Sequence, residues 1–240
     1  MNSLEELLRM SVSYDVPLSL DQAELVLRHL NLVIEKNGVL NLTRIDSISE
    51  GIVKHILDSL LFMKGIPQTI SSNDHAQFVD VGTGAGFPGI PLVVMGAWRG
   101  LLIDSVGKKS RAVREFVEEL GLRHRVSVET IRAEDLARSN PLCFDVVTAR
   151  AVAEISVLLE YASPLLKRDG LLVCSKAHVP DTELRHAKQV APLCGFHHVS
   201  RETFELPLDM GHREILSYRK TGAETVRLPR QVGMAKHMPL

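Results

Sequence analysis

Apolar residues recur at helical spacing through the first part of the chain, then give way to short strand-like runs separated by helices. Ser19 and Gln22 have the spacing of a capping box. Ala23, Val26, Leu27, Leu30, Val33 and Ile34 follow on one helical face. Asn37-Gly38 predicts the end of that helix. A polar connector, Asn41-Leu42-Thr43-Arg44-Ile45, leads to Ser47 and Glu50, a second capping-box pair that opens a helix from Ile52 to Met63. Ser71 to His75 is a polar break.

From Gln77 onward the pattern predicts strands at Phe78–Val81, Leu101–Asp104, Val126–Ile131, Phe144–Thr148 and Leu171–Ser175. Helices fit between them at Pro88–Met95, Lys108–Leu120, Ala133–Ala137 and Ile155–Leu166. The run Leu-Leu-Lys-Arg-Asp-Gly at 165–170 reads as a helix end, with cations in the last turn and a terminating glycine. This alternation is that of a parallel, doubly wound α/β sheet. After a helix near Thr182–Leu193, two further strands, His198–Phe204 and Glu214–Tyr218, are joined only by a loop with Pro207 and Gly211. They are expected to pair antiparallel. Five parallel strands and a terminal hairpin suggest the seven-stranded sheet of the class I methyltransferases.

Composition bounds this reading. With 240 residues, 45% of them hydrophobic, the chain fits one well-cored domain with a small appendage. We expect a helical extension over 1–70, an α/β domain over 71–220 and a basic tail over 221–240. A formal net charge of −1 means that any nucleic-acid contact comes from local patches. Cys143, Cys174 and Cys194 form no Cys-x-x-Cys pair, so neither a disulfide framework nor a metal site is expected. Glu5, Glu6 and Arg9 interrupt the first leucines, and no apolar run reaches the roughly 18 residues of a membrane span. We therefore expect no membrane association and a cytoplasmic location; a monomer is the default expectation, on which the sequence itself is silent.

The chemistry gathers at Asp80-Val81-Gly82-Thr83-Gly84-Ala85-Gly86, where the first strand runs into a turn. Dinucleotide sites favour G-x-G-x-x-G, with a pyrophosphate against a helix N-terminus. Here the spacing is G-x-G-x-G, and Asp80 just before the turn would repel a pyrophosphate. A carboxylate there suits a ligand carrying a cationic amino group, as in the methionine part of S-adenosylmethionine. Asp104, at the end of the second strand, is placed to accept hydrogen bonds from ribose hydroxyls. Ala133 and Glu134 follow the third strand, where an adenine would lie. The alternative is that these are the turn glycines and helix-start acids of any α/β protein.

The chain resembles the bacterial ribosomal RNA small subunit methyltransferase G family, also called glucose-inhibited division protein B. The residues that carry the resemblance are Asn41-Leu42-Thr43-Arg44-Ile45, His55-Ile56-Leu57-Asp58-Ser59-Leu60, the glycine block extended by Phe87-Pro88-Gly89-Ile90-Pro91-Leu92, Lys108-Lys109, Ala133-Glu134 and Thr148-Ala149-Arg150-Ala151-Val152-Ala153. Pro229-Arg230, Gly233 and Pro239 resemble its tail. The resemblance implies methylation of guanine N7 in small-subunit (16S) ribosomal RNA, as naked RNA or in the 30S particle, with S-adenosylmethionine as cofactor. It implies cofactor contacts at Gly82, Phe87, Ala133, Glu134 and Arg150, to which the turn adds Asp80, Gly84, Gly86, Asp104 and Ser105. Ser105-Val106-Gly107 and Lys176-Ala177 depart from the family pattern.

The residues permit that chemistry. Guanine N7 has a free in-plane lone pair and no proton, so methyl transfer needs positioning rather than a strong base. The Asn/Asp-Pro-Pro-aromatic motif of exocyclic-amine methylation does not follow strand four. The cysteines that carbon-5 methylation would need read as core fillers. Arg150, at the carboxyl end of strand four, is the candidate catalytic residue, facing a carboxylate, phosphate or guanine edge; alternatively it pairs with Asp145 or Glu154. His55 and Asp58 share a helical face, either as a catalytic pair or as a tie between the N-terminal helices and the sheet. Phe87 packs on a ligand or in the core. For RNA, the candidates are Thr43, Arg44, Lys108, Lys109, Lys176 and Arg230, the last in a low-structure basic tail. The competing readings are a methyltransferase acting on a small molecule or another RNA, a nicotinamide dehydrogenase, and a non-catalytic RNA-binding module.

Overall fold

The computed structural model describes residues 2–240. A seven-stranded sheet runs in the order β3-β2-β1-β4-β5-β7-β6. Its strands are β1 (Gln77–Val81), β2 (Arg99–Asp104), β3 (Val126–Thr130), β4 (Phe144–Arg150), β5 (Leu166–Lys176), β6 (Phe196–Glu205) and β7 (His212–Lys220). The first five are parallel. β7 lies antiparallel between β5 and β6, so the expected terminal hairpin is present. The order in which strands are added reverses between β1 and β4, and that switch point opens a crevice at the carboxyl ends of the strands.

Helices cover both faces. One face carries α1 (Ser3–Ser13), α2 (Leu20–Leu40), α6 (Gly89–Met95) and α7 (Gly107–Glu119). It also carries a composite helix: α3 (Ile48–Gly51), a π-helical turn over Ile52–Leu57, α4 (Asp58–Leu60) and a 3₁₀ turn over Leu61–Gly65. A short α5 (Gln68–Ser71) leads into β1. Leu7, Val26, Leu30 and Val33 of the first helices belong to the same buried cluster as Phe78, Ile90 and Leu92. Each such fully buried side chain contributes about 2 kcal/mol relative to exposure. The opposite face carries α8 (Ala133–Ser139), α9 (Ile155–Ala162) and α10 (Asp181–Leu193) over a second cluster. A single turn, α11 (Met234–His237), lies in the C-terminal tail.

Local signals place several boundaries correctly. Ser19 accepts the Gln22 N–H and Gln22 reaches back, completing the capping box. Two boundaries differ from expectation. Helix α2 passes through Asn37-Gly38 and stops at Asn41, which takes the left-handed conformation with φ 49°. The Asn37 side chain is used instead to accept the Thr43 N–H at 2.9 Å, fixing the connector. The run at 165–170 is not a helix end. Leu166 already pairs with Phe144, and Leu171 next pairs with Val146, so residues 167–170 bulge opposite Asp145 alone. Asp169 supplies the left-handed residue of that bulge and Lys167 reaches Asp145 at 2.8 Å.

Candidate active site

The glycine turn is held from below. Gly82 and Thr83 both donate to the Ile103 carbonyl at 2.9 Å. Asp104 accepts the Gly84 N–H at 3.1 Å through one oxygen and the Val106 N–H at 2.8 Å through the other. Each carboxylate oxygen keeps a second acceptor site. Gly82 has φ +74°, and a Cβ there would strike Val152 at 2.7 Å. Gly86 has φ +93° and packs against the His29 ring, so it serves the turn rather than the crevice.

Two expected cofactor contacts turn inward. Asp80 is fully buried; one oxygen accepts the Gly89 N–H at 3.0 Å and the other the Thr148 hydroxyl, also at 3.0 Å. Burial pushes its carboxyl up to about 6. It ties the turn to α6 and β4. Phe87, 2% exposed, lies between two histidine rings: His55 is stacked at 4.5 Å and His29 is tilted at 4.3 Å. Of the two readings of Phe87, the core placement is the observed one.

Two clefts open beside the turn. The narrower, about 200 Å³, is lined by Gly82, Asp104, Ser105, Ala133 and Glu134 together with Val152, Tyr161 and Lys236. Five of the expected cofactor residues thus converge. The wider cleft, about 560 Å³, is lined by Lys54, His55, Asp58, Arg150, Lys176 and Arg213, among others. Val152 and Ala153 line both. Arg150 faces the wider cleft and is absent from the wall of the narrower one.

Arg150 is fixed by a network. It donates to Asp58 at 3.3 Å, to the Lys54 carbonyl at 3.2 Å and to His55 Nδ1 at 3.4 Å. Asp145 and Glu154 are not its partners. Asp58 also takes Arg213 at 3.1 Å and the Ser175 hydroxyl at 3.1 Å. Because a guanidinium only donates, His55 Nδ1 must accept and its proton resides on Nε2, 3.0 Å from Thr43 Oγ1. His55 and Asp58 therefore tie the N-terminal helices to β4, β5 and β7 and at the same time shape the cleft.

The RNA candidates separate. Lys176 lines the wider cleft, held by Glu183 at 2.8 Å. Arg44 is exposed beside Ile45, which lines the same cleft. Thr43 is committed to His55, and Lys108 reaches the Leu40 carbonyl at 3.2 Å. Lys109 is half-buried on α7. Arg230 forks onto Glu160 at 2.6 and 2.7 Å, and the tail expected to lack structure packs against α8 and α9. Of the two departures from the family pattern, Gly107 opens α7 and Ala177 lines the wider cleft. Arg213 and Lys54 were not foreseen; Arg213 arrives on β7, too far along the chain for any local pattern to announce.

The histidines give an acid response. Burial pushes both His29 and His55 down to about 3, so each is neutral in the fold yet takes a proton near pH 6.5 when unfolded. Between pH 6 and 4 the unfolded chain thus binds two more protons at these sites. The raised Asp80 works in the opposite sense, since the fold binds the extra proton there. The net of one proton lowers stability by about 1.4 kcal/mol per pH unit as pH falls. A His29→Phe variant lacks one contribution. Its stability relative to wild type is expected to rise by about 1.4 kcal/mol per unit of acidification over that window. Urea unfolding at stepped pH measures this; parallel curves would refute the neutral, buried His29.

The family model described as rRNA small subunit methyltransferase G matches residues 22–214. The chain belongs to the rRNA small subunit methyltransferase G family. Curated members of the family align over most of both chains. The protein of Carboxydothermus hydrogenoformans is 37% identical over 92% of this chain and 92% of its own length. That of Caldicellulosiruptor bescii is 36% identical over 95% and 96%. The Lactobacillus acidophilus member is 33% identical over the whole of both. Solved structures agree on the fold. A geranyl diphosphate C-methyltransferase from Streptomyces coelicolor has a TM-score of 0.55 at 10% identity, covering 69% of this chain and 79% of its own. A precorrin-6y C5,15-methyltransferase from Geobacter metallireducens has a TM-score of 0.51 at 14% identity, covering 68% and 87%. The sheet is that of the class I methyltransferases, and membership of a methyltransferase family removes the dehydrogenase reading. No helix among the described residues is long and apolar enough to cross a membrane.

Proposed function

We propose that the chain transfers a methyl group from S-adenosylmethionine to N7 of a guanine in small-subunit ribosomal RNA, with the cofactor in the narrower cleft and the guanine in the wider. The observation that carries this reading is the shared border: Val152 and Ala153 are all that is common to a cleft lined by Asp104 and Glu134 and a wider one lined by Lys54, Arg150, Lys176 and Arg213. The clefts adjoin there, so a donor in one and an acceptor in the other meet at that border.

The narrower cleft fits the cofactor. Asp104 has acceptor sites left for two ribose hydroxyls, and the bare backbone at Gly82 leaves room that a Cβ would take. Ala133 and Glu134 lie where the adenine would rest. S-adenosylmethionine supplies an electrophilic methyl carbon on a sulfonium. The remaining work belongs to the protein and consists of placement. N7 has no proton to lose, and Asp58, the carboxylate buried in the wider cleft, is committed to two arginines and a serine. Arg150 is positioned to donate to the O6 edge of guanine, Lys54 and Lys176 line the same cleft, and the exposed Arg44 follows Thr43 at its margin, beside Ile45, as a cation suited to a backbone phosphate. Methylated guanine carries a positive charge, and Asp58 offsets part of the guanidinium charge that opposes it.

The test is transfer of labelled methyl to 16S RNA, naked and in 30S particles, purified from a strain that lacks the activity. Label is expected in 7-methylguanosine, located by chain cleavage at the modified base. Transfer should weaken steeply with salt. Label in any other nucleoside, or only in small molecules, would overturn the reading.

A further inference from the structure

The C-terminal tail is bound to the body by buried groups. Glu160 on α9 is 3% exposed, and both of its oxygens receive the Arg230 fork. The same carboxylate accepts the Leu240 N–H at 3.1 Å, and Arg230 returns a hydrogen bond to the Met238 carbonyl at 2.7 Å. The segment between Arg230 and Leu240 is therefore folded over one ion pair. A buried, bidentate pair of this kind is a poor source of net stability but strongly fixes geometry.

What it fixes lies at the narrower cleft. Within the held segment, the Gly233 N–H donates to Glu134 at 2.8 Å, and Glu134 is both 4% exposed and part of the cleft wall. One turn further on, Lys236 lines the cleft itself. The tail thus orients one wall residue and contributes another.

We propose that Glu160 and Arg230 are positioning residues for cofactor binding: their ion pair folds residues 230–240 into a wall of the narrower cleft, setting Glu134 and placing Lys236. The proposal rests on the assignment of that cleft to the cofactor. Its energetic content is a coupling, and coupling is reciprocal. A docked tail tightens the cofactor, and bound cofactor must hold the tail down by the same factor.

Two measurements on the full chain test this. Calorimetry with S-adenosylhomocysteine should give a Kd about tenfold weaker for Arg230→Ala than for wild type. Arg230→Lys, which keeps the charge but loses the fork, should fall between them. On the wild-type chain, saturating S-adenosylhomocysteine should slow tryptic cleavage after Arg227 by a similar factor, read by mass spectrometry. The second measurement stands even if a variant fails to fold, and a merely structural ion pair would not produce it. Equal cleavage rates with and without ligand, or an Arg230→Ala Kd equal to that of wild type, would overturn the proposal and leave the cleft assignment intact. A wild-type chain that binds no S-adenosylhomocysteine would remove the cleft assignment itself, and the tail's role with it.

Discussion

Replacing Arg150 by alanine is expected to lower kcat/KM for RNA methylation about a hundredfold while changing the cofactor Kd less than about twofold. The size follows from losing a charge-assisted contact between the guanidinium and the guanine edge, about 3 kcal/mol at the upper end, at about 1.4 kcal/mol per decade of rate. The selectivity follows from position, since Arg150 lines the wider cleft and not the narrower. Lysine should rescue little, because one ammonium cannot span the Lys54 carbonyl, Asp58 and His55 at once. Single-turnover methylation beside cofactor calorimetry checks both halves. A Kd that weakens in step with kcat/KM would return Arg150 to the cofactor site, where the family resemblance places it.

Asp58→Ala should be the most damaging substitution for stability. The carboxylate is 4% exposed and is the shared ion-pair partner of Arg150 and Arg213, each with a side chain 16% exposed. Its loss leaves two sequestered guanidiniums facing each other and costs about 3–5 kcal/mol. For a chain of this size that is a fall of roughly 10 °C in Tm. Adding Arg213→Met removes one uncompensated charge and should recover about half the loss. A scan of the four proteins of this cycle measures it. An additive double variant would show that the two side chains do not interact.

Both outcomes depend on contacts that the sequence disclosed unevenly. The sheet was legible because its strands are apolar runs bounded by turn residues, and the hairpin because only a loop separates β6 from β7. The glycine turn, Asp104 and Ala133-Glu134 were legible for the same local reason: each follows a strand end. Direction was not. Asp80 has the spacing of a ligand carboxylate, yet it turns into the sheet, where Thr148 and Gly89 occupy it. The bulge at 167–170 mimics a helix end because cations followed by glycine serve either role, and only pairing with β4 decides between them. Arg230 reads as a free cation until the fold brings Glu160 against it, 70 residues away in sequence. Long-range partners of this kind leave no periodic trace.

The column of His29, Phe87 and His55 has a mechanical meaning. It begins on the helix that supports Ala85 of the glycine turn, at 3.0 Å, and ends on the ring that receives Arg150. Three packed rings are nearly incompressible. The span from the turn to the guanidinium is therefore gauged by ring thickness, not by the length of any loop. A displacement at either end of the column is passed through the rings to the other.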